Sequence, residues 1–489
     1  MAETLVLVRL SSELALKAPR TRSHFMQRLL RNLRDALNAA GASARVETEW
    51  GRVYVHLDSP AAVPVIGRVF GISSYSVIDA TVPATVAAIA ERGVEIFPEH
   101  VRGKRYAVRA HRAGTHDFRS RDVEIELGAR LAPFGARVDL TNPEATAFVE
   151  IRQNQAYLFR GRQNASGGLP LGVEGRAISL ISGGYDSAVS SWLMLKRGIA
   201  LDYVFCNLGG DAYERAVVQV TKALADDWSY GTQPKLYVVD FDQPLRELRA
   251  RARDSYWQVV LKRLFYRAAS QIGATMGADA IITGEAVGQV SSQTLPNLRA
   301  IEPAASLPVF RPLLGFDKEE IIARARTIGT AALSEQVKEY CAIAPGKPVT
   351  ATSEERAAAE EARLDLSVID RAVANVKKLD VRALTAVDLV GPYIFTSDIP
   401  AGAIVIDCRT EAQFRAWHAP GALHKEEWQL ARDFRRLDKA RQYVLYCAHG
   451  MQSAHLAERM QRSGYEAYSF RGGTARLLKY LQQTDNSKT

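Results

Sequence analysis

The residues best suited to chemistry in this 489-residue chain lie in two short loops, Ser182–Ser187 and Cys447–Ser453. The first reads SGGYDS. Ile178, Leu180 and Ile181 form an apolar strand pattern before it, and a helical pattern begins just past Asp186 and continues through Ser190 to Leu195. Between them Gly183 and Gly184 allow backbone geometries and close approaches that a side chain would block. The amides of the turn and of the first helical turn then point at one spot, where an anion belongs and a phosphate fits best. No Gly-Lys-Ser/Thr follows, so this is not a Walker loop. Nor does the glycine spacing match a dinucleotide fingerprint. The plainer reading of the same residues is an ordinary glycine turn, with Asp186 as a helix cap.

In the second loop a strand pattern, Tyr443–Tyr446, runs directly into CAHGMQS. A cysteine at such a junction sees several backbone donors at once, which stabilise a thiolate or its persulfide. No arginine or lysine lies within Ala448–Ser453, and His449 adds positive charge only when protonated, so activation rests mainly on the loop amides. The four cysteines, Cys206, Cys341, Cys408 and Cys447, are too few and too widely spaced for a disulfide scaffold or a paired metal site. Cys206 falls in a strand pattern and Cys408 beside one, so both read as buried structural thiols. For Cys447 and Cys341 the pattern leaves either structural thiols or redox chemistry.

The elements that must hold these loops follow from length and periodicity. The chain is too long for one core and predicts three or four domains. A hydrophobic fraction of 47% with 24% charged residues is that of ordinary soluble globular protein. No signal-peptide pattern opens the chain and no apolar run approaches a membrane span, which predicts a cytoplasmic protein without membrane contact. The formal charge of +9 permits a polyanionic partner without requiring one.

Thr4–Leu10 reads as a strand, and Phe25, Leu29, Leu33 and Leu37 recur at helical spacing. Val46–Leu57 alternates as a further strand, completing a small α+β unit over residues 1–60. Residues 61–165 form a second unit, with a helix at Ser120–Leu131 and strands at Arg105–Ala110, Ala147–Arg152 and Gln155–Phe159. Arg102, Lys104, Arg105, Arg109 and Arg112 crowd its middle, either as a solvated face or as a patch for an RNA backbone. From Ala177 strands and helices alternate, with Leu201–Leu208, Lys235–Asp240 and Ala278–Thr283 as strands and Leu245–Met276 as one long helical region. That alternation predicts a parallel sheet with active groups beyond its carboxyl ends. The charged segment Ser353–Leu364 reads as a connector or exposed helix.

SGGYDS closely resembles the pyrophosphatase loop of enzymes that cleave ATP between its α and β phosphates. GEAVGQVSSQTLPNLR (Gly284–Arg299) and RPLLGFDKEEI (Arg311–Ile321) resemble segments of the ThiI family of tRNA uridine 4-sulfurtransferases. VEIRQNQAYLF (Val149–Phe159) with GGLPLG (Gly167–Gly172) resembles the end of a THUMP module, and DCRTEAQF (Asp407–Phe414) with CAHGMQS resembles a rhodanese domain. The resemblance implies a multidomain α/β and α+β protein. Its parts are a ferredoxin-like N-terminal unit (1–60), a THUMP module (61–165), a parallel-sheet PP-loop domain (175–345), a linker (346–395) and a rhodanese-like α/β domain (396–489).

The implied reaction begins with ATP adenylylating O4 of a tRNA uridine, expected at position 8, and releasing pyrophosphate. Ser182, Gly183, Gly184, Asp186, Ser187, Gly284 and Gln293 would bind ATP. Asp186 would orient ligands around Mg2+, and Lys318 would neutralise charge developing on the phosphates. A cysteine desulfurase would load sulfur as a persulfide on Cys447. Cys341 would resolve the transfer by forming a disulfide with Cys447, which a cellular reductant would reset. Delivery of sulfur to a thiamine-thiazole carrier protein is a further implied role. An ATP-dependent RNA amidotransferase or ligase, and a tRNA-binding sulfur carrier with decayed ATP chemistry, are the alternatives.

Overall fold

The computed structural model describes residues 3–49, 51–335, 337, 347–385, 394–448 and 450–486. The chain divides into two compact units, one of residues 1–174 with 195–199 and 227–232, the other of the remainder.

The first unit holds two five-stranded sheets. In one, β1 (Thr4–Leu10), β2 (Ala44–Glu49), β3 (Arg52–Leu57) and β4 (Ile72–Val77) are joined at the edge by Gln163–Asn164. Helix α1 (Pro19–Ala39) covers it, burying Phe25, Leu29, Leu33 and Leu37 at every fourth position. The expected single strand Val46–Leu57 is instead the β2–β3 hairpin, because Gly51 takes φ +75° and reverses the chain.

The other sheet has β5 (Ala80–Pro83), β6 (Arg105–Ala113), β7 (Arg137–Val138), β8 (Ala145–Arg152) and β9 (Gln155–Phe159), packed under α2 (Val86–Ile96) and α3 (Ser120–Leu131). Glu150 on β8 ties the two sheets. Its carboxylate accepts from Arg9 at 2.8 Å, Arg52 at 2.7 Å and Arg152 at 2.7 Å.

The second unit contains a six-stranded sheet. With Gln163–Asn164 counted as β10, its strands are β11 (Arg176–Leu180), β12 (Ala200–Asn207), β13 (Lys235–Asp240), β14 (Ala280–Ile282), β15 (Val309–Phe310) and β16 (Lys377–Asp380), in the order β15-β14-β11-β12-β13-β16. All pairings are parallel except β13–β16. β11 has β12 on one side and β14 on the other, so the winding reverses at its carboxyl end, where such sheets open a crevice. The helices include α4 (Tyr185–Lys196), α5 (Gly210–Trp228), α6 (Asp242–Arg251), α7 (Trp257–Met276) and α8 (Lys318–Thr327).

Two expectations are corrected here. Leu245–Met276 is not one helix: Ala252 is extended, and the Arg253 amide donates to Glu360 Oε2 at 3.0 Å rather than continuing the helical ladder. Ser353–Leu364 is not an exposed connector either. It forms α9 (Glu354–Glu361), followed by α10 (Ser367–Ala374), with Ala357, Glu360, Glu361 and Leu364 buried. Its charge misleads because Glu361 meets Arg263 and Arg267, each at 2.7 Å, and Leu364, Val368 and Ile369 join the core beneath β13. The chain then pairs as the antiparallel edge strand β16.

The last sheet has β17 (Phe395–Thr396), β18 (Ile404–Asp407), β19 (Leu423–His424), β20 (Gln442–Tyr446) and β21 (Glu466–Phe470), all pairing in parallel, with α11 (Glu427–Asp433) and α12 (Met451–Arg462) against it.

Burial pushes the Glu361 carboxyl up, but hydrogen bonds from Arg267 and Arg263 outweigh it and hold it below its ordinary value. A depressed folded-state pKa contributes stability above the unfolded value, which is lost as pH falls through the folded one. Glu361→Ala leaves Arg263 buried without its carboxylate and is expected to cost about 3–5 kcal/mol, read as a lowered urea midpoint at pH 7. The deficit relative to the parent protein should shrink as pH is lowered through the acid range; a constant deficit would contradict the ionic assignment.

Candidate active site

β11 delivers the chain into Ser182–Gly184, and α4 begins at Tyr185. Gly183 sits at φ +78°, a conformation that favours glycine. Ser187 closes the turn: its hydroxyl accepts from the Ser182 amide at 3.2 Å and donates to the Gly184 carbonyl at 3.1 Å. A neighbouring strand end is fastened to the same helix, because Ser190 Oγ donates to the Thr283 carbonyl at 2.7 Å. Gly284 then passes so close that a Cβ there would meet the Ser187 nitrogen at 2.6 Å and the Asp186 carbonyl carbon at 2.7 Å.

Lys318, the first residue of α8, donates to both Asp186 oxygens at 2.8 and 3.0 Å. Asp317 caps that helix by accepting from the Glu320 amide at 2.8 Å, which fixes the start from which Lys318 reaches out. The structure therefore brings Asp186 and Lys318 together. Ser182, Asp186, Ser187, Gly284 and Gln293 all line one cleft. Gln293 Oε1 accepts from the Ala286 amide at 3.4 Å, bracing the loop after β14.

The cleft also holds groups not singled out from the sequence: Lys262, Tyr266 and Glu285, with Arg311 behind them. Buried Glu285 accepts from the Tyr266 hydroxyl at 2.6 Å, Arg311 Nε at 2.9 Å and Thr283 Oγ1 at 3.1 Å, with Lys262 Nζ 3.9 Å from its other oxygen. Burial raises the Glu285 pKa, yet Lys262, Tyr266 and Arg311 hold the carboxyl below its ordinary value. The result is an ionised carboxylate flanked by two cations, of which Arg311 is shared with Glu302 at 2.7 Å. Glu285 and Arg311 both fall inside the motifs Gly284–Arg299 and Arg311–Ile321, which was the available signal.

Cys447 lies at the end of β20. Its Sγ accepts from the Gly450 amide at 3.1 Å and the Ser453 hydroxyl at 3.4 Å, and the side chain is buried. Gly450, at φ +84°, begins α12. Gly473 backs the loop, since a Cβ there would meet the Ala448 carbonyl oxygen at 2.6 Å. Arg409 is committed elsewhere, to Asp407 at 2.6 Å and to the Trp417 carbonyl at 2.6 Å. Burial pushes the Cys408 thiol well up, and nearby Cys447, Asp407 and Glu427 add to it. Burial likewise raises the Cys206 thiol, which lines the same cleft as Asp186. Cys341 and His449 lie outside the described residues. Val337 is described, and packs at Gly183.

The five basic residues of the second sheet do not converge on one point through their bonds. Arg102 pairs with Glu99 at 2.5 Å, Lys104 donates to the His100 carbonyl at 3.1 Å, and Arg105 contacts Glu144 at 3.1 Å and Asp139 at 3.2 Å. Arg109 donates to the Leu140 carbonyl, and Arg112 contacts His116 at 3.2 Å. Arg109 also lines a cavity with Arg9, Arg52 and Arg162, a basic cluster not gathered from the sequence.

Four family models match in order: the ThiI ferredoxin-like domain over residues 5–76, the THUMP domain over 83–160, "Thiamine biosynthesis protein (ThiI)" over 172–366 and the rhodanese-like domain over 396–479. A tRNA sulfurtransferase of Pyrobaculum aerophilum is 38% identical over 466 residues, covering 94% of this chain and 95% of the relative. One from Desulfurococcus amylolyticus is 37% identical, covering 98% and 99%. Among solved structures, a 4-thiouridine synthetase in complex with RNA and ATP is similar at TM-score 0.67 and 29% identity, covering 77% of this chain and 99% of that one.

Gly284→Ala is expected to push Ser187 and the phosphate-facing turn out of place. Nucleotide affinity by calorimetry should fall about tenfold or more, and the urea midpoint should fall by the equivalent of about 1–3 kcal/mol, since the clash is with backbone. Unchanged affinity would mean that the two loops can separate freely.

Proposed function

The chain belongs to the tRNA sulfurtransferase family, and from that membership we infer that it is an ATP-dependent enzyme that makes 4-thiouridine in tRNA, at uridine 8. The observation that carries the residue-level reading is the presence of two loops on one chain: a glycine turn facing a cleft with Asp186 and Lys318 at its edge, and a cysteine held by a loop amide.

The turn amides and Ser187 take the phosphates, with Ser182, Gly183, Gly184, Gly284 and Gln293 shaping the seat. Uridine O4 attacks the α-phosphorus of ATP, the bond to the β-phosphate oxygen breaks, and pyrophosphate leaves. Lys318 sits where it can follow the developing phosphate charge. The fit for Mg2+ rests on Asp186. Both its oxygens face Lys318, and no group of three metal-ligating side chains occurs among the described residues. An ion would therefore be held by Asp186 together with phosphate oxygens and water, and would supply charge neutralisation.

Sulfur arrives from a cysteine desulfurase as a Cys447 persulfide, stabilised by the Gly450 amide. Transfer to C4 expels AMP. Cys341 attacks the inner sulfur of Cys447, so that the persulfide bond breaks as the disulfide forms, and a cellular disulfide reductant resets both thiols. Sulfur reaches C4 as the bound persulfide or as sulfide freed in that attack; both routes end in the same disulfide. The same persulfide can serve a sulfur carrier of thiamine-thiazole synthesis. Arg102, Lys104, Arg105, Arg109 and Arg112 are proposed to meet the tRNA backbone by exchanging their present partners for phosphates. No described helix is long and apolar enough to cross a membrane, which supports the proposed cytoplasmic setting.

Asp186→Ala should abolish pyrophosphate release with tRNA while Cys447 still loads sulfur, and Lys318→Ala should do the same less completely. Pyrophosphate release at the parent rate in the Asp186 variant would sink the assignment.

Cys447→Ser should prevent loading and leave pyrophosphate release intact, whereas Cys341→Ser should load but stop after about one turnover. Isotope-labelled sulfur and disulfide mapping by mass spectrometry read both. Labelled sulfur appearing on Cys341 before Cys447 would reverse the assigned roles.

A further inference from the structure

The start of α5 faces two ways. On one side the Tyr213 hydroxyl donates to the Ser182 carbonyl at 3.1 Å, and Tyr213 lines the ATP cleft. On the other, α12 of the rhodanese-like domain packs against it. The His455 ring comes so near Gly210 that a Cβ there would meet Nδ1 at 2.0 Å, and Gly210 itself sits at φ +70°. Arg215 Nη1 donates to Glu458 Oε1 at 2.8 Å, with the Glu458 side chain only 3% exposed. Nearby, half-buried Glu427 on α11 accepts from Gln452 of its own domain at 2.7 Å and feels the charges of Arg249 and Asp242 on α6.

The chemistry of this joint matters. The rhodanese-like domain closes core clusters from its own residues, and so does the ATP-binding domain. The polar part of the contact between them is an ion pair, and removing such a pair from water roughly cancels its Coulomb gain, so its value lies more in register than in holding energy. Its location matters as well. Gly450, whose amide holds Cys447, precedes His455 by five residues of α12, roughly 7.5 Å of helical rise. The sulfur loop thus lies about a turn and a half from the residue that meets Gly210, three positions before cleft-lining Tyr213.

We propose that the Gly210–Arg215 turn is a docking seat for the sulfur-carrying domain, receiving α12 through His455 and Glu458 so that sulfur leaves Cys447 when its loop is parked beside the ATP cleft. The proposal rests on Cys447 being the sulfur carrier, and it adds that α5 joins the activating loop to the delivering one.

Charge reversal tests it in the full chain: Arg215→Glu, Glu458→Arg, and the two combined. Pre-loaded single-turnover thiolation should fall about tenfold or more in each single variant, with Cys447 loading and pyrophosphate release within about twofold of the parent. The double variant should recover to within about threefold. Glu458→Gln, which keeps the side-chain shape, should lower transfer in the same direction and covers a reversed charge that disturbs α12. Parent-like transfer in the singles, loss of pyrophosphate release alongside it, or a double variant no better than the singles would overturn the seat.

Hydrogen exchange over residues 207–216 and 451–462 decides the docking separately. Faster exchange in both segments of the singles, restored in the double, supports the seat even if the parent enzyme carries no sulfur on Cys447; exchange unaffected by the reversal removes it. Absence of sulfur on parent Cys447 would instead overturn the carrier assignment alone.

Discussion

The cleft beyond β11 depends on a backbone approach that only glycine permits. Gly284 runs against the Asp186–Ser187 peptide with no room for a Cβ, and Ser190 secures the adjoining Thr283 carbonyl. These contacts lock the ends of β11 and β14 to α4, so the turn amides, the Asp186 carboxylate and the loop carrying Gln293 surround one space. Lys318 can then reach Asp186 across 132 residues of sequence because each stands in the first turn of a helix that follows a parallel strand. Close packing converts a local glycine requirement into the geometry of the cleft.

Buried carboxylates perform a similar service elsewhere. Glu150 gathers arginines from two sheets, Glu361 gathers two from α7, and Glu285 gathers Arg311 and Tyr266 beneath the cleft. Such groups add little net stability over a well-packed apolar alternative, but each is costly to leave unpaired. They therefore discriminate against arrangements in which the partner elements are misplaced.

Local order was legible where periodicity is local. Thr4–Leu10, Ser120–Leu131, Gln155–Phe159 and Lys235–Asp240 have the bounds their patterns indicate. Patterning failed where one residue or a distant partner decides. Gly51 splits an alternating run that reads as a single strand, and Glu360 takes an amide that would otherwise continue a helix. Ser353–Leu364 looks solvated because its charges are visible in sequence and the arginines that neutralise them are nearly a hundred residues away. The glycine turn between β11 and α4 could be read from glycines and flanking patterns, and the family motifs singled out Lys318. The Glu285 network could not be assembled that way, since its members come from α7, the chain after β14 and the chain after β15.

Burial of the remaining thiols has a consequence for fidelity. Cys206 beside the cleft and Cys408 in the same core as Cys447 are both driven toward the protonated form. Exchange of a sulfane atom between cysteines requires an attacking thiolate. The thiol that shares a core with Cys447 is thereby disfavoured as a competing acceptor, were sulfur to be carried there.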